Sequence, residues 1–169
     1  MDFEVGQKVI YPNHGIGVVE SIQTRPTPTG KISLYKLRIL SNDSRVWVPQ
    51  ENADGVGLRH VISMRDVKKI FALLGDGQIE QHSNWKGRFK ENSDKMRSGS
   101  LLEIAEVLKT LLVLQREKLL SFREKKMLDR ARHMLITELS ISRGLRDVEV
   151  VELLQKALDK AGLSLPTPL

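Results

Sequence analysis

DGVGLRHVISMRD, residues 54–66, is where the hydrophobic period of this chain changes. Before it, apolar and polar residues alternate in short runs. KVIYP, GIGVVESI, ISLYKLRIL and RVWVP are separated by NHG, PTPTGK and SND, which is the pattern of strands joined by tight turns. After it, Ser63-Met-Arg-Asp66 begins a helical period. Ser100 to Glu103 and Ser121 to Glu124 repeat the same opening, in which a serine oxygen and a returning carboxylate satisfy the first orphan backbone donors of a helix. The boundary between the halves therefore falls around residues 54 to 63, with domains expected at 1–60 and 61–169.

Four or five short strands in under 60 residues are too few for a large sandwich, so a small Tudor- or SH3-like β-barrel is the expected closure. Gly15 and Gly17 suit its turns and kinks, and GVG at 55 to 57 reads as a turn. In the second half the periodicity predicts helices near 63–74, 84–97, 100–116, 121–140 and 147–161. Breaks at GDG, SG and Arg143-Gly144 separate them, and LPTPL is a non-helical tail. The expected fold class is α+β in two domains, the second compact and all-helical.

Composition narrows the function classes. A chain of 169 residues with 40% apolar content can build cores, yet it has no run of eighteen apolar residues. MDFEVGQK carries acid where a signal peptide needs a basic start, so a cytoplasmic protein is expected. The absence of cysteine removes thiolate zinc sites and cysteine nucleophiles and fits a reducing compartment. A net charge of +6 and a pI near 9.7 favour a polyanionic partner, with nucleic acid foremost. His14, His60, His82 and His133 never fall at the spacing that puts two ligands on one helical face. Gly15-Ile-Gly17 lacks the third glycine of a dinucleotide fingerprint, and neither a phosphate loop nor GxSxG occurs. No enzyme activity, metal, cofactor, small-molecule substrate or membrane contact is expected. The chain reads as a binding protein.

Two tryptophans carry that reading further. In Arg45-Val-Trp-Val-Pro49 the alternation puts Val46 and Val48 on one face and Arg45 and Trp47 on the other. Trp47 then points away from the barrel interior, either to cover the helical half or to anchor a partner beside Arg45. In SNWKGRFKENSDKMRSG, residues 83–99, Trp85 shares a side of the helix with Phe89 and Met96, which fits a buried stripe. Its place in the first turn also lets it project past the helix end. Lys86, Lys90 and Arg97 fall on another side, with Arg88 and Lys95 flanking them. In the 121–140 helix Arg123, Lys126 and Arg130 form a second stripe with Lys125 adjacent. A solvated face is the default for such a stripe unless it lies beside the first basic cluster.

VGQKVIYPNHGIGVVESIQTR, RVWVPQENADGVGLRHVI, NWKGRFKENSDKMRSG, IAEVL and LSFREKKMLDRARHMLITELSIS, in this order, resemble the CarD/CdnL family of bacterial transcription regulators over about residues 3 to 160. The resemblance implies a Tudor-like N-terminal domain that docks on the β subunit of RNA polymerase, similar to the module of transcription-repair coupling factors. It implies a helical C-terminal domain on promoter DNA at the upstream edge of the bubble, stabilising the open complex. By the same resemblance Arg25 matches a polymerase-contacting arginine, and Trp47 stands where other members have arginine or methionine. The edge from Arg45 to Pro49 joins them as the expected polymerase face. Trp85 matches a minor-groove wedge, Lys86, Arg88 and Lys90 its basic surround, and Lys125 and Lys126 phosphate-facing positions, while Gly87 replaces a frequent arginine. The expected partners are the polymerase β subunit and promoter DNA, read with weak sequence preference by a monomer associated with the nucleoid through polymerase. The alternative is a protein scaffold whose basic helices are only solvated.

Overall fold

A computed structural model describes residues 2–12, 14–76 and 85–169. The expected start at Asn84, His82 and the end of the GDG break lie outside the described residues, as do the side chains of Trp85 and Lys86. The chain divides into two compact units, Met1–Val61 and Ile62–Leu169.

The first unit is an antiparallel sheet of β1 (Lys8–Tyr11), β2 (Gly15–Thr27), β3 (Gly30–Ile39), β4 (Arg45–Pro49) and β5 (Arg59–His60), in the order β4-β3-β2-β1-β5. Alternation buries Val9, Val19, Tyr35, Leu37 and Val48 on one face, where Phe3, Ala53 and Leu58 join them. Phe3 stands edge-on to Tyr35 with ring centres 5.5 Å apart, and its backbone N–H donates to the Tyr35 hydroxyl at 3.3 Å. The turn from β4 to β5 tightens at Gly57, whose φ of +80° suits glycine, and an added Cβ would sit 3.1 Å from Pro12 Cγ.

The PTPTGK segment is more ordered than a simple loop. Thr27 pairs with Gly30, leaving Pro28 and Thr29 as a two-residue turn, and Pro26 pairs with Lys31 inside the ladder. Beyond Val18, the partner of Lys8, β2 has lost its β1 neighbour, so a proline without an N–H is tolerated on that open side. Between Val19 and Ser21 the β2–β3 register shifts by one residue at Glu20.

The second unit packs α1 (Met64–Asp76), α2 (Trp85–Arg97), α3 (Leu101–Glu117), α4 (Phe122–Arg143) and α5 (Asp147–Asp159). Helix α3 is central, burying Ile104, Ala105, Val107, Leu108, Leu111 and Leu112 in one core shared with α1 Val67, Ile70 and Leu74, α4 Leu128, Leu135 and Leu139, and α5 Val150, Leu154 and Leu158. Each buried leucine is worth about 1.5–3 kcal/mol, so this apolar core outweighs any cap. The caps set the ends. Ser63 Oγ accepts from the Asp66 N–H and Ser100 Oγ from the Glu103 N–H, while Ser121 and Glu124 make the full reciprocal box. Helix α4 passes the expected end at 140 and stops at Gly144, which takes φ +65° and hands the Leu145 N–H to the Ser140 carbonyl at 3.0 Å. The Lys109 ammonium, carried inward on α3, donates to the Leu73 carbonyl near the end of α1 at 2.7 Å. The non-helical tail is held by Gln155, which donates to the Leu163 carbonyl and accepts from the Leu165 N–H. No helix among the described residues is long and apolar enough to cross a membrane.

Candidate functional site

The bulge at Glu20 decides what the outer face of the sheet presents. Without the extra residue, strict alternation from the buried Val19 would turn Ser21, Gln23 and Arg25 inward. With it, Ser21 pairs with Lys36 and Gln23 with Leu34, and Lys36 and Leu34 in turn pair with Trp47 and Pro49. Arg25, Lys36 and Trp47 therefore share one face. Trp47 is 44% exposed on β4, which has β3 on one side and no further strand in the sheet order. The Arg25 guanidinium lies 6.0 Å and the Lys36 ammonium 5.7 Å from its ring centre. Cation–π attraction of about 0.5–1 kcal/mol at an exposed site helps to orient both cations. Arg25 also donates to Gln23 Oε1 at 3.2 Å, and among the described residues neither cation faces a carboxylate.

Arg45 lies on the same face in a different setting. Its Nε donates to Glu20 Oε1 at 3.0 Å, and its Nη1 donates to the Asp43 carbonyl at 2.6 Å. The hydrogen bond to Glu20 and the nearby Asp43 charge push its pKa above an already high value. Arg38 shares both carboxylates, at 3.7 and 3.5 Å. This cluster of two arginines and two acids leaves Arg45 little free charge, whereas Arg25 and Lys36 keep theirs. Pro49 is half-buried beside Leu34.

In the helical unit Arg88, expected in the basic surround of Trp85, is turned inward. Its side chain is 7% exposed and its Nη2 lies 3.4 Å from Oε2 of Glu124, itself 2% exposed. Buried and paired in this way, the guanidinium presents little surface to a phosphate. The next residue, Phe89, carries the Arg123 guanidinium 4.4 Å above its ring centre. Lys95 pairs with Glu106 at 2.9 Å; burial pulls its pKa down, but that bond and the charges of Glu106, Glu91 and Glu103 raise it overall. Arg97 is bonded to Asp94. Lys90 is exposed and meets no carboxylate among the described residues.

The Arg88–Glu124 and Phe89–Arg123 contacts bring the first turns of α2 and α4 together, so the two basic segments do lie side by side. Lys125, Lys126 and Arg130 are exposed along α4. Two apolar residues that the periodicity did not single out complete this surface: Leu119, 89% exposed, and Phe122, 68% exposed, with the Lys126 ammonium 4.8 Å above the Phe122 ring centre. The available signal was position, since Phe122 follows the Ser121 cap directly and so begins its helix as Trp85 begins α2. Lys36 was likewise missed, because facing Trp47 is a matter of register. Among the described residues no three His, Asp or Glu side chains converge on a metal-sized site.

The family description "CarD, C-terminal domain" matches residues 69–155, and "CarD-like/TRCF RID domain" matches residues 3–62. A putative transcription factor of Bacillus subtilis, YdeB, is 32% identical over 148 residues, covering 88% of this chain and 97% of that protein. The chain belongs to the CarD family. The resemblance read from the sequence blocks is a true membership. Among solved structures, CdnLNt from Myxococcus xanthus is 38% identical, covering 37% of this chain and 89% of its own, with a TM-score of 0.32. The 72-residue N-terminal domain of Myxococcus xanthus CarD is 27% identical, covering 35% and 79%, with a TM-score of 0.31. In this CarD-family chain the first match ends at residue 62, beside the unit boundary, and the second runs from within α1 into α5.

Proposed function

We propose that this CarD-family protein is a non-enzymatic transcription regulator that joins RNA polymerase to promoter DNA and stabilises the open complex. The N-terminal unit docks on the polymerase β subunit through Trp47, Arg25, Lys36 and the Arg45–Pro49 edge. The helical unit meets the upstream edge of the bubble through Trp85, Lys86, Lys90, Lys125 and Lys126. The observation that carries the reading is the large exposed ring of Trp47 on an edge strand between two cations that face no carboxylate among the described residues. A bare aromatic beside arginine has the composition of an interface anchor, and an edge strand can extend a partner's sheet. The match to the CarD-like/TRCF RID domain over residues 3–62 supports polymerase as that partner.

Stabilisation follows from differential affinity. An apolar side chain pressed against an unstacked base step recovers part of a cost of a few kcal/mol, which a bubble edge has already met and closed duplex has not. A protein that favours the melted form shifts the equilibrium toward it by that difference alone. The reading places the protein in the cytoplasm, on the nucleoid through polymerase.

Trp47→Ala is expected to weaken binding to the β subunit by about 1–4 kcal/mol, measured by titration with core polymerase. Equal affinity of wild type, Trp47→Ala and Arg25→Glu would remove this face from the account. The pairing of Arg88, Lys95 and Arg97 within the chain is the observation that favours the scaffold alternative. Salt dependence separates the two. Neutralising about three to five phosphates gives a slope of log affinity against log salt of about −2.7 to −4.5. A slope close to zero would support the scaffold.

A further inference from the structure

Glu124 does two tasks with one carboxylate. Its Oε1 accepts from the Ser121 N–H at 3.2 Å while its own N–H donates to Ser121 Oγ at 3.2 Å, closing the α4 cap. Its Oε2 takes Arg88 Nη2 at 3.4 Å. A capping-box carboxylate on a first turn can do its work in water, yet this one is 2% exposed and its partner 7%. Arg88 Nε is buried with no hydrogen-bond partner. Such a pair is a poor device for stability alone, because desolvating two charges cancels much of their attraction and an unmet donor adds to the cost. What it does supply is geometry.

The same pair ties the first turns of α2 to the start of α4. Gly87 weakens the helix there and Lys90 is exposed, whereas the half-buried Met96 packs on the core two turns later. Among the described residues, the contacts of α2 with the first turn of α4 include the Arg88–Glu124 pair and the Arg123 guanidinium over Phe89. We infer that Arg88 and Glu124 are positioning residues, a buried strut that fixes the Trp85-bearing turn of α2 against the first turn of α4, where Lys125 and Lys126 lie. Arg88 then acts on DNA through Trp85 and touches no phosphate. The functional half of this inference rests on the proposed role of Trp85; the mechanical half does not.

The test is Arg88→Met with Glu124→Gln in the full-length protein. Glutamine still closes a capping box, and the pair of charges is removed together so that neither is stranded. The strut predicts a melting temperature near that of wild type, amide hydrogen exchange at residues 87–91 at least about tenfold faster, and open-complex lifetime reduced toward that with Trp85→Ala. If exchange and lifetime both stay at wild-type values, Arg88 serves only to neutralise Glu124 and the inference is overturned. Arg88→Lys keeps the charge without the guanidinium fork, so it carries the same test, with the same two readouts, should the double variant melt early. A Trp85→Ala variant that stabilises open complexes as well as wild type would overturn the functional reading, while the exchange measurement still decides the strut.

Discussion

Arg88→Ala is expected to lower the folding stability of the whole protein by about 3–5 kcal/mol, because it strands the Glu124 carboxylate without a counter-charge. That loss is comparable to truncating a large core side chain, from a residue whose type belongs on a surface. Urea unfolding followed by circular dichroism reads it directly. The carboxylate keeps its bonds to the Ser121 cap, so the secondary structure forms and the effect falls on the midpoint. A change under about 1 kcal/mol is the size expected of an exposed pair and would mean that this one is open to solvent.

Trp85→Ala is expected to act in the opposite way. Folding and polymerase docking stay nearly intact, and most of the stabilisation of open complexes disappears. The first turn of α2 begins at this residue, and the turn is placed beside the basic start of α4 by contacts at Arg88 and Phe89 that the substitution does not remove. Were Trp85 part of the core, its truncation would cost about 3–5 kcal/mol of stability. Thermal unfolding and open-complex lifetime, measured on the same preparation, distinguish the two: a large fall in melting temperature assigns the ring to the core and removes the wedge.

Much of this architecture was legible because local rules govern it. Three serine openings predicted three helix starts, and Gly144 ended α4 where the Arg143-Gly144 break announced it. The outward direction of Trp47 followed from two-residue alternation within a single strand. The unread features all depend on partners distant in sequence. A helical wheel puts Arg88 on a flank, and nothing in α2 reveals that a carboxylate 36 residues later is buried against it. The bulge at Glu20 inverts the facing of everything after it in β2, so Arg25 joins Trp47 only once the β2–β3 register is known. Lys36 joins Trp47, and Arg45 recedes into the Glu20 and Asp43 cluster, for the same reason. Family resemblance named Arg25 and Trp85 without supplying any of that geometry.

The central claim is that one chain must hold polymerase and DNA at the same time. It is tested most directly by measuring open-complex lifetime with wild-type protein, with Trp47→Ala, with Trp85→Ala, and with an equimolar mixture of the two variants. In the mixture, one variant keeps the docking face and the other keeps the DNA face, but no molecule has both. The account predicts that the mixture prolongs the open complex no more than the better single variant does. Recovery of the wild-type lifetime by the mixture would contradict it, since the two faces would then act without being joined.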